Sequence, residues 1–482
     1  MKIRDIVRTA VIKTNPCWPF SSLNRMPYYL AIQVFVQLCK RFREIKSVYL
    51  RHGLTEENWI PALSDIDLAV IIESKLKIEE EFSFLNAFWN HHDRMKKLFP
   101  MLGEIEILND EHIKSWTQFD IPGYKSMSWK LLYGTETAKS QFPANRQRLT
   151  VDSFNYALRF YLGYFLDRFD AKEDSCYLAS QDLKRLVLKI LKSLNYMNGE
   201  DSKKQIVVGG LDDTTDMLVR VLTGLEEGVR FITRNYNNDA DSKSSDKAWL
   251  GDIDSHNNVV FENRGFDIGA LAPWDKAIQS IILNYDKRVF VVLKDELDAS
   301  ALKGCIAAIR PVFAQERTMP VIASSHLFKY MLRYYDPFEY TRLVTYRIVA
   351  YGQDVVSEMP PPDKESFISY LVRQTQTVLT FPQCHTFISP PSPNWFSGRE
   401  LEWNLNKSLF LKLYLEKRVI KPWYDEFLIE CQKHYPDHFT KWRALKDTKD
   451  TTLSREWFRL LKGIANDVHN CLANSHIAER IA

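Results

Sequence analysis

The chain has 482 residues, of which 45% are hydrophobic, 26% charged and 13% aromatic, with 64 Lys+Arg against 61 Asp+Glu and a net charge of +3. These proportions exclude a disordered, collagenous or linker-like chain. The charge balance excludes a dedicated nucleic-acid coat, though not a local basic groove. The 17 glycines are few against a usual share of roughly 7% and predict bulky, helix-rich packing. Length alone suggests about three domains. No two of the seven cysteines stand at CxxC spacing. That pattern predicts a reduced, cytoplasmic chain without a disulfide framework or a zinc site. Met1 to Phe20 lacks the apolar core of a signal peptide. The most apolar strand-like run, Leu68 to Ile72, is far shorter than the ~20 residues of a membrane helix, so no membrane partner is expected.

In chain order, helical spacing of Leu30, Ile32, Val34, Phe35, Leu38, Cys39 and Phe42 predicts a helix over Tyr28 to Glu44. Ser47 to Leu50 reads as a short strand, and Gly53 to Ser64 as a polar connection. Asp65 to Ile72 reads as a strand with a polar start and a buried end. A helix over Ile78 to Phe99 leads to a strand over Gly103 to Leu108. There Glu104 and Glu106 share one face, Ile105 and Ile107 the other. Ser128 to Leu194 reads as mainly helical, a bundle built on Val151 to Phe169 and Ser180 to Leu194. Asn235 to Asn263 is polar enough for a linker or long loop. Beyond it the pattern predicts a helix (Trp274 to Leu283), a strand (Val289 to Leu293), a helix (Ser300 to Phe313) and a strand (Pro320 to Ala323). Prolines at 360–362 and 390–393 make stiff turns, and Leu401 to Lys421 and Ser454 to Ile477 are amphipathic helices.

Two stretches resemble each other. A basic–apolar–apolar run precedes both Tyr133-Gly134 and Tyr351-Gly352, read as matched helix ends, with Glu136 and Asp354 two residues on. Upstream, Ile107 to Ile113 overlays Val321 to Leu327. The same order of elements twice predicts an internal duplication.

The chemistry concentrates in Arg51-His52-Gly53-Leu54-Thr55 and, after a spacer, Ser64-Asp65-Ile66-Asp67-Leu68-Ala69-Val70. Asp65 and Asp67 are i and i+2 at a strand start, so their carboxylates face one way. Two such carboxylates and a third from a neighbouring strand suit hard cations, with Mg²⁺ favoured by carboxylates, waters and phosphates. Two metals stabilise the attacking and leaving oxygens of an in-line phosphoryl displacement. Glu104 and Glu106 are the available third acids, and Glu104 is also placed to take a proton from an acceptor hydroxyl. A glycine at 53 lets backbone N–H groups approach a phosphate, and Ser64 either caps the turn or touches a phosphate.

This segment resembles the nucleotidyltransferase superfamily of DNA polymerase beta, especially the small bacterial, antibiotic-type enzymes. Asp65, Ile66, Asp67 and Leu68 match the family's Asp–apolar–Asp/Glu–apolar motif, Gly53 its Gly/Ser position, and Glu106 its third carboxylate. His52 stands where its first glycine usually lies, crowding the phosphate cradle or contacting a phosphate. The likeness spans roughly residues 28–195 and is specific in Leu50 to Val70. It implies an α+β fold, a minimal mixed sheet with flanking helices plus a helical bundle. It also implies a site with two Mg²⁺ ions bound by Asp65, Asp67 and Glu106, and an NTP held near Gly53, Ser64 and His52. The implied reaction passes a nucleoside monophosphate to a hydroxyl of an unidentified acceptor, whether small molecule, protein or tRNA. A toxin-like enzyme acting on tRNA or protein and an inactive scaffold are the alternatives.

The expected organisation is a catalytic domain over 1–125, a helical bundle over 126–235 closing its cleft, a linker over 236–263, and a degenerate second half over 264–482. In that half Asp286 and Arg288 replace Asp65 and Asp67, and Pro320 falls near the third position. Other candidates read as weaker. Asp252 and Asp254 lie in the linker. His434 and His438 are separated by Pro436, which argues against a helical metal face. His91-His92 and the Lys184, Arg185, Lys189 face read as packed or solvated helix positions, and Trp395, Trp403, Trp423, Trp442 and Trp457 as packing residues.

Overall fold

The computed structural model describes residues 3–55, 59–74, 76–109, 129–136, 146–169, 177–197, 213–236, 268–284, 288–313, 320–362, 366, 370, 398–417, 424–447 and 455–473. The linker with Asp252 and Asp254, the prolines at 390–393, Asp286, Trp395 and Trp423 lie outside them.

Strands β1 (Ile45–Arg51), β2 (Ile66–Ile72), β3 (Leu102–Asn109) and β4 (Lys130–Gly134) form a sheet of order β3-β2-β1-β4. The pair β2–β3 is parallel; β1–β2 and β1–β4 are antiparallel. Val48, Leu50, Ile66, Leu68, Val70, Ile105 and Ile107 turn to one face, where they share a core with helices α2 (Phe20–Cys39) and α3 (Ile78–Leu98). Helix α1 (Ile3–Thr14) precedes α2. Three glutamates open α3 and Lys96 and Lys97 close it, in keeping with the helix dipole. The opposite face carries a smaller apolar cluster of Tyr49, Ala69, Ile71, Leu108 and Trp129.

A second sheet, β5 (Ile278–Asn284), β6 (Val289–Leu293), β7 (Val321–Ser324) and β8 (Arg347–Gly352), has the order β7-β6-β5-β8 with the same strand senses. Tyr133-Gly134 and Tyr351-Gly352 therefore end strands, not helices. Gly134 (φ +85°) and Gly352 (φ +75°) each press against the first strand of their own sheet, where a Cβ would fall 1.8 Å from the Lys46 carbonyl oxygen or 2.1 Å from that of Gln279. Only glycine accepts both that φ and that approach. Residues 274–283, expected as a helix, form the end of a 3₁₀ turn and strand β5. The structural register places Ile107 with Ile322, because Val70 pairs with Ile107 and Val291 with Ile322; the sequence overlay is one residue out of step.

The chain divides into two compact units, Met1–Pro143 with Leu371–Ala482, and Ala144–Tyr370. Helices α4 (Arg146–Phe160), α5 (Tyr177–Met197) and α6 (Thr214–Tyr236) bury their apolar faces in one core with β5–β8. The Tyr161 hydroxyl donates to the Ile322 carbonyl at 2.6 Å. The expected bundle over 126–235 therefore belongs with the second sheet, together with Lys184, Arg185 and Lys189. The residues between β5 and β8 include helices α7 (Ala299–Val312), α8 (Ser325–Tyr330) and α9 (Pro337–Thr345). Helices α10 (Gly398–Lys417), α11 (Tyr424–His434), α12 (Pro436–Asp447) and α13 (Arg455–Ala473) fall in the first unit, and Phe458 of α13 joins the first sheet's core. The reading of 264–482 as one half is corrected accordingly. Pro436 separates α11 from α12, as its missing N–H requires.

Candidate active site

The aspartates lie on the first sheet's face opposite the α2–α3 core. Asp67 stands between core-facing Ile66 and Leu68, and Glu106 between Ile105 and Ile107, so both point to the other side. Asp65 is exposed just ahead of β2, and Asp67 is half-buried. Ile66 pairs with Leu102 but Leu68 with Ile105, so three residues of β3 oppose two of β2. The extra residue is a bulge at Gly103-Glu104 beside Asp67, the kind of irregularity that re-aims strand side chains. A Cβ at 103 would fall 2.5 Å from Asp67 Oδ1 and 2.6 Å from Asp65 Cβ. Gly103 thus brings the two aspartates together over a bare patch of backbone.

Glu106 has a partner that the motif does not reveal. Arg51, 2% exposed, places Nη1 2.8 Å from Glu106 Oε2. Its guanidinium carbon lies 5.1 Å from the centroid of the Trp129 ring, a cation–π position. Glu106 thus already offers one carboxylate oxygen to a buried cation. Asp65 and Asp67, over the glycine cradle, are a donor pair suited to Mg²⁺. His52 and Gly53 lie in a 3₁₀ turn (His52–Thr55) and Glu104 lies in the bulge; the side chains of His52 and Glu104 are outside the described part.

The turn before Asp65 is held from several sides. Ser64 Oγ accepts from the Ile60 N–H at 3.1 Å, and the Ser64 N–H donates to the Ile60 carbonyl at 2.8 Å. Of the two expected uses of Ser64, capping is the one its geometry displays. Ala62 sits at φ 68°. Its N–H donates to the Tyr28 hydroxyl at 2.8 Å, that hydroxyl donates to the Ser64 carbonyl at 3.0 Å, and Arg8 Nε donates to the Ala62 carbonyl at 3.1 Å. Trp59 is buried against Tyr28, with ring centroids 4.8 Å apart. Arg51, Gly103, Tyr28 and Arg8 escape sequence reasoning. The one legible signal was a glycine opening the acidic strand at 103.

At the matching positions of the second sheet, Arg288 stands for Asp67, Asn284 for Arg51 and Val321 for Glu106, as the strand registers require. Val321, next to Pro320, brings no acid. At the opposite end of these strands Glu226, Asp295 and His326 gather donor atoms within 4.8 Å of one another. His326 Nδ1 lies 3.2 Å from Glu226 Oε1 and 3.1 Å from Asp295 Oδ1. Arg230 Nε holds the same Glu226 Oε1 at 2.8 Å, and Ser324 donates to Oε2, so the Glu226 carboxylate is already bridged. A polar cleft of about 520 Å³ opens beside it, bordered by Asp275, Lys294, Asp295 and Lys329. His92 is packed on α3, and its burial lowers its pKa.

No known protein family matches the chain, and no curated protein does. Among the described residues, no helix is long and apolar enough to cross a membrane.

Proposed function

We propose that the first sheet carries a Mg²⁺-dependent nucleotidyltransferase site. The observation that carries this reading is the convergence of Asp65 and Asp67 over Gly103 on one sheet face. In this reaction the acceptor hydroxyl oxygen attacks the α-phosphorus of an NTP, the bond to the β-phosphate oxygen breaks, and pyrophosphate leaves. Bound Mg²⁺ would neutralise phosphate charge beside Asp65 and Asp67. Glu104, in the bulge beside Asp67, is the carboxylate offered for the acceptor's proton. We read the second sheet as a degenerate copy in which Arg288 and Val321 have replaced the acids.

The test is transfer of label from α-labelled NTPs to acceptors in a cell extract. Wild type labels an acceptor and Asp65→Asn/Asp67→Asn does not; equal labelling by both would remove these residues from the site. A second reading, a non-catalytic scaffold, draws on the Arg51–Glu106 pair, which gives the third acid a resident cation. Calorimetry separates the two, since a scaffold takes up no Mg²⁺-NTP.

A further inference from the structure

Three donor groups converge in the second unit, where helix α6 meets the carboxyl ends of the parallel strands β6 and β7. Glu226 comes from α6, Asp295 follows β6, and His326 lies in α8 after β7. The crevice beyond such strand ends is where α/β sheets hold ligands. His326 Nδ1 stands 3.2 Å from Glu226 Oε1 and 3.1 Å from Asp295 Oδ1. Nδ1 carries at most one hydrogen, so a hydrogen bond directed at one carboxylate neglects the other. One cation among the three atoms serves them all. Donors bound to Zn²⁺ at about 2.0–2.2 Å in tetrahedral geometry lie about 3.3–3.6 Å from one another, close to both distances.

The groups around the donors hold them in place. Arg230 Nε donates to Glu226 Oε1 at 2.8 Å and the Ser324 hydroxyl donates to Oε2, while the His326 N–H donates to Asp295 Oδ1 at 2.9 Å. Both carboxylates are thereby oriented, as metal ligands are by their outer partners. Arg230 is in turn paired with Glu296, its Nη1 3.6 Å from Oε1. Around the cluster and its cleft the described residues place four carboxylates, Glu226, Asp275, Asp295 and Glu296, against three cations, Arg230, Lys294 and Lys329. The negative excess favours a cation among the donors. Asp295 also stands on the wall of the polar cleft, which gives an ion a way in and leaves room for a fourth ligand. Lys294, whose Nζ donates to the Asp275 carbonyl at 3.1 Å, and Lys329 favour an anion in that fourth place.

We propose that Glu226, Asp295 and His326 bind one Zn²⁺ ion, with a small anion completing its shell from the cleft. Imidazole favours Zn²⁺ over the hard cations that carboxylates and water suit. Three protein ligands and an open fourth place form the pattern of zinc sites that take an exchangeable ligand. No cysteine takes part, so cysteine spacing gives no sign of it. The proposal is independent of the reading of Asp65 and Asp67.

Titration of the metal-free full chain with Co²⁺, a coloured stand-in for Zn²⁺, tests it. The wild type is expected to develop visible d–d bands without a sulfur-to-cobalt band in the near ultraviolet, and to lose them to equimolar Zn²⁺ but not to millimolar Mg²⁺. His326→Gln and Asp295→Asn are each expected to weaken uptake about 100-fold or more, since loss of an outer partner alone costs about 10–100-fold. Asp65→Asn/Asp67→Asn is expected to leave the bands unchanged. Acetate is expected to shift the bands of the wild type and not those of Lys294→Gln/Lys329→Gln. Should the ligand variants unfold, Zn²⁺ protection of the half-exposed His326 from diethyl pyrocarbonate, read by peptide mass, gives the same reading on the unaltered chain. Uptake that is absent from the wild type, survives both ligand variants, brings a sulfur band or leaves His326 unprotected overturns the proposal. Bands indifferent to acetate remove the anion from it.

Discussion

A methyl group at position 103 has no room, because Asp65 meets it with its Cβ, an atom fixed to the backbone. Gly103→Ala is therefore expected to force the two strands apart at the bulge. The cost is about 1–3 kcal/mol, as for other overpacked sites, read as a lower urea midpoint, and Mg²⁺ titration should show weakened binding. Glu339 offers a residue-scale test in the second unit. Burial raises its pKa first, with Asp336 adding to the rise; Arg342, Asn284 and Arg288 oppose it. A carboxyl whose pKa is higher folded than unfolded binds its proton more tightly in the native state. Its contribution to stability is complete below the usual value of 4.5 and is lost as pH climbs through the raised one. Asn284 Nδ2 donates to Glu339 Oε1 at 2.6 Å, a contact that a glutamine oxygen can keep. Glu339→Gln is expected to flatten this part of the melting-temperature profile and to exceed wild type at neutral pH.

At the scale of elements, α13 is tied to α3 by a buried ion pair, Lys462 Nζ to Glu81 Oε1 at 2.8 Å, beside the exposed pair Arg459–Glu79. Lys462→Met leaves Glu81 as a buried charge without this cation, and breaking such a pair costs about 3–5 kcal/mol. The double variant Lys462→Met/Glu81→Leu should recover most of that in denaturant unfolding. The long elements were legible in the sequence because their apolar periods are long: α3 and β2 lie within two residues of their expected bounds. Strand β5 was misread because Ile278, Ile281 and Ile282 fit a helical stripe as well as a strand, an ambiguity of short apolar runs. Strand β4 was misread because Leu131, Leu132 and Tyr133 show no alternation; all three are half-buried. At the site, the Asp-x-Asp pair was legible from spacing alone. Arg51's claim on Glu106 was not, since β1 and β3 are brought near each other only by the strand order of the sheet.

For the whole molecule, the two cores make opposite predictions about fragments. Residues 144–370 contain a complete sheet and the helices that cover it. They are expected to melt cooperatively as an isolated protein in calorimetry. Residues 1–143 lack α10–α13, which fall in the same unit. They are expected to be soluble and folded only when co-expressed with 371–482. The insertion of one unit within the other also sets a timetable. The ribosome delivers the first sheet, then the entire second unit, and only afterwards α10–α13. At about 5–20 residues per second, the first sheet waits roughly 15–65 s for its last helix. Through that interval Glu81 has no Lys462 to meet and the core has no Phe458. The nascent chain is then at its most exposed to chaperones and proteases, and slowing synthesis within 144–370 should lengthen that exposure.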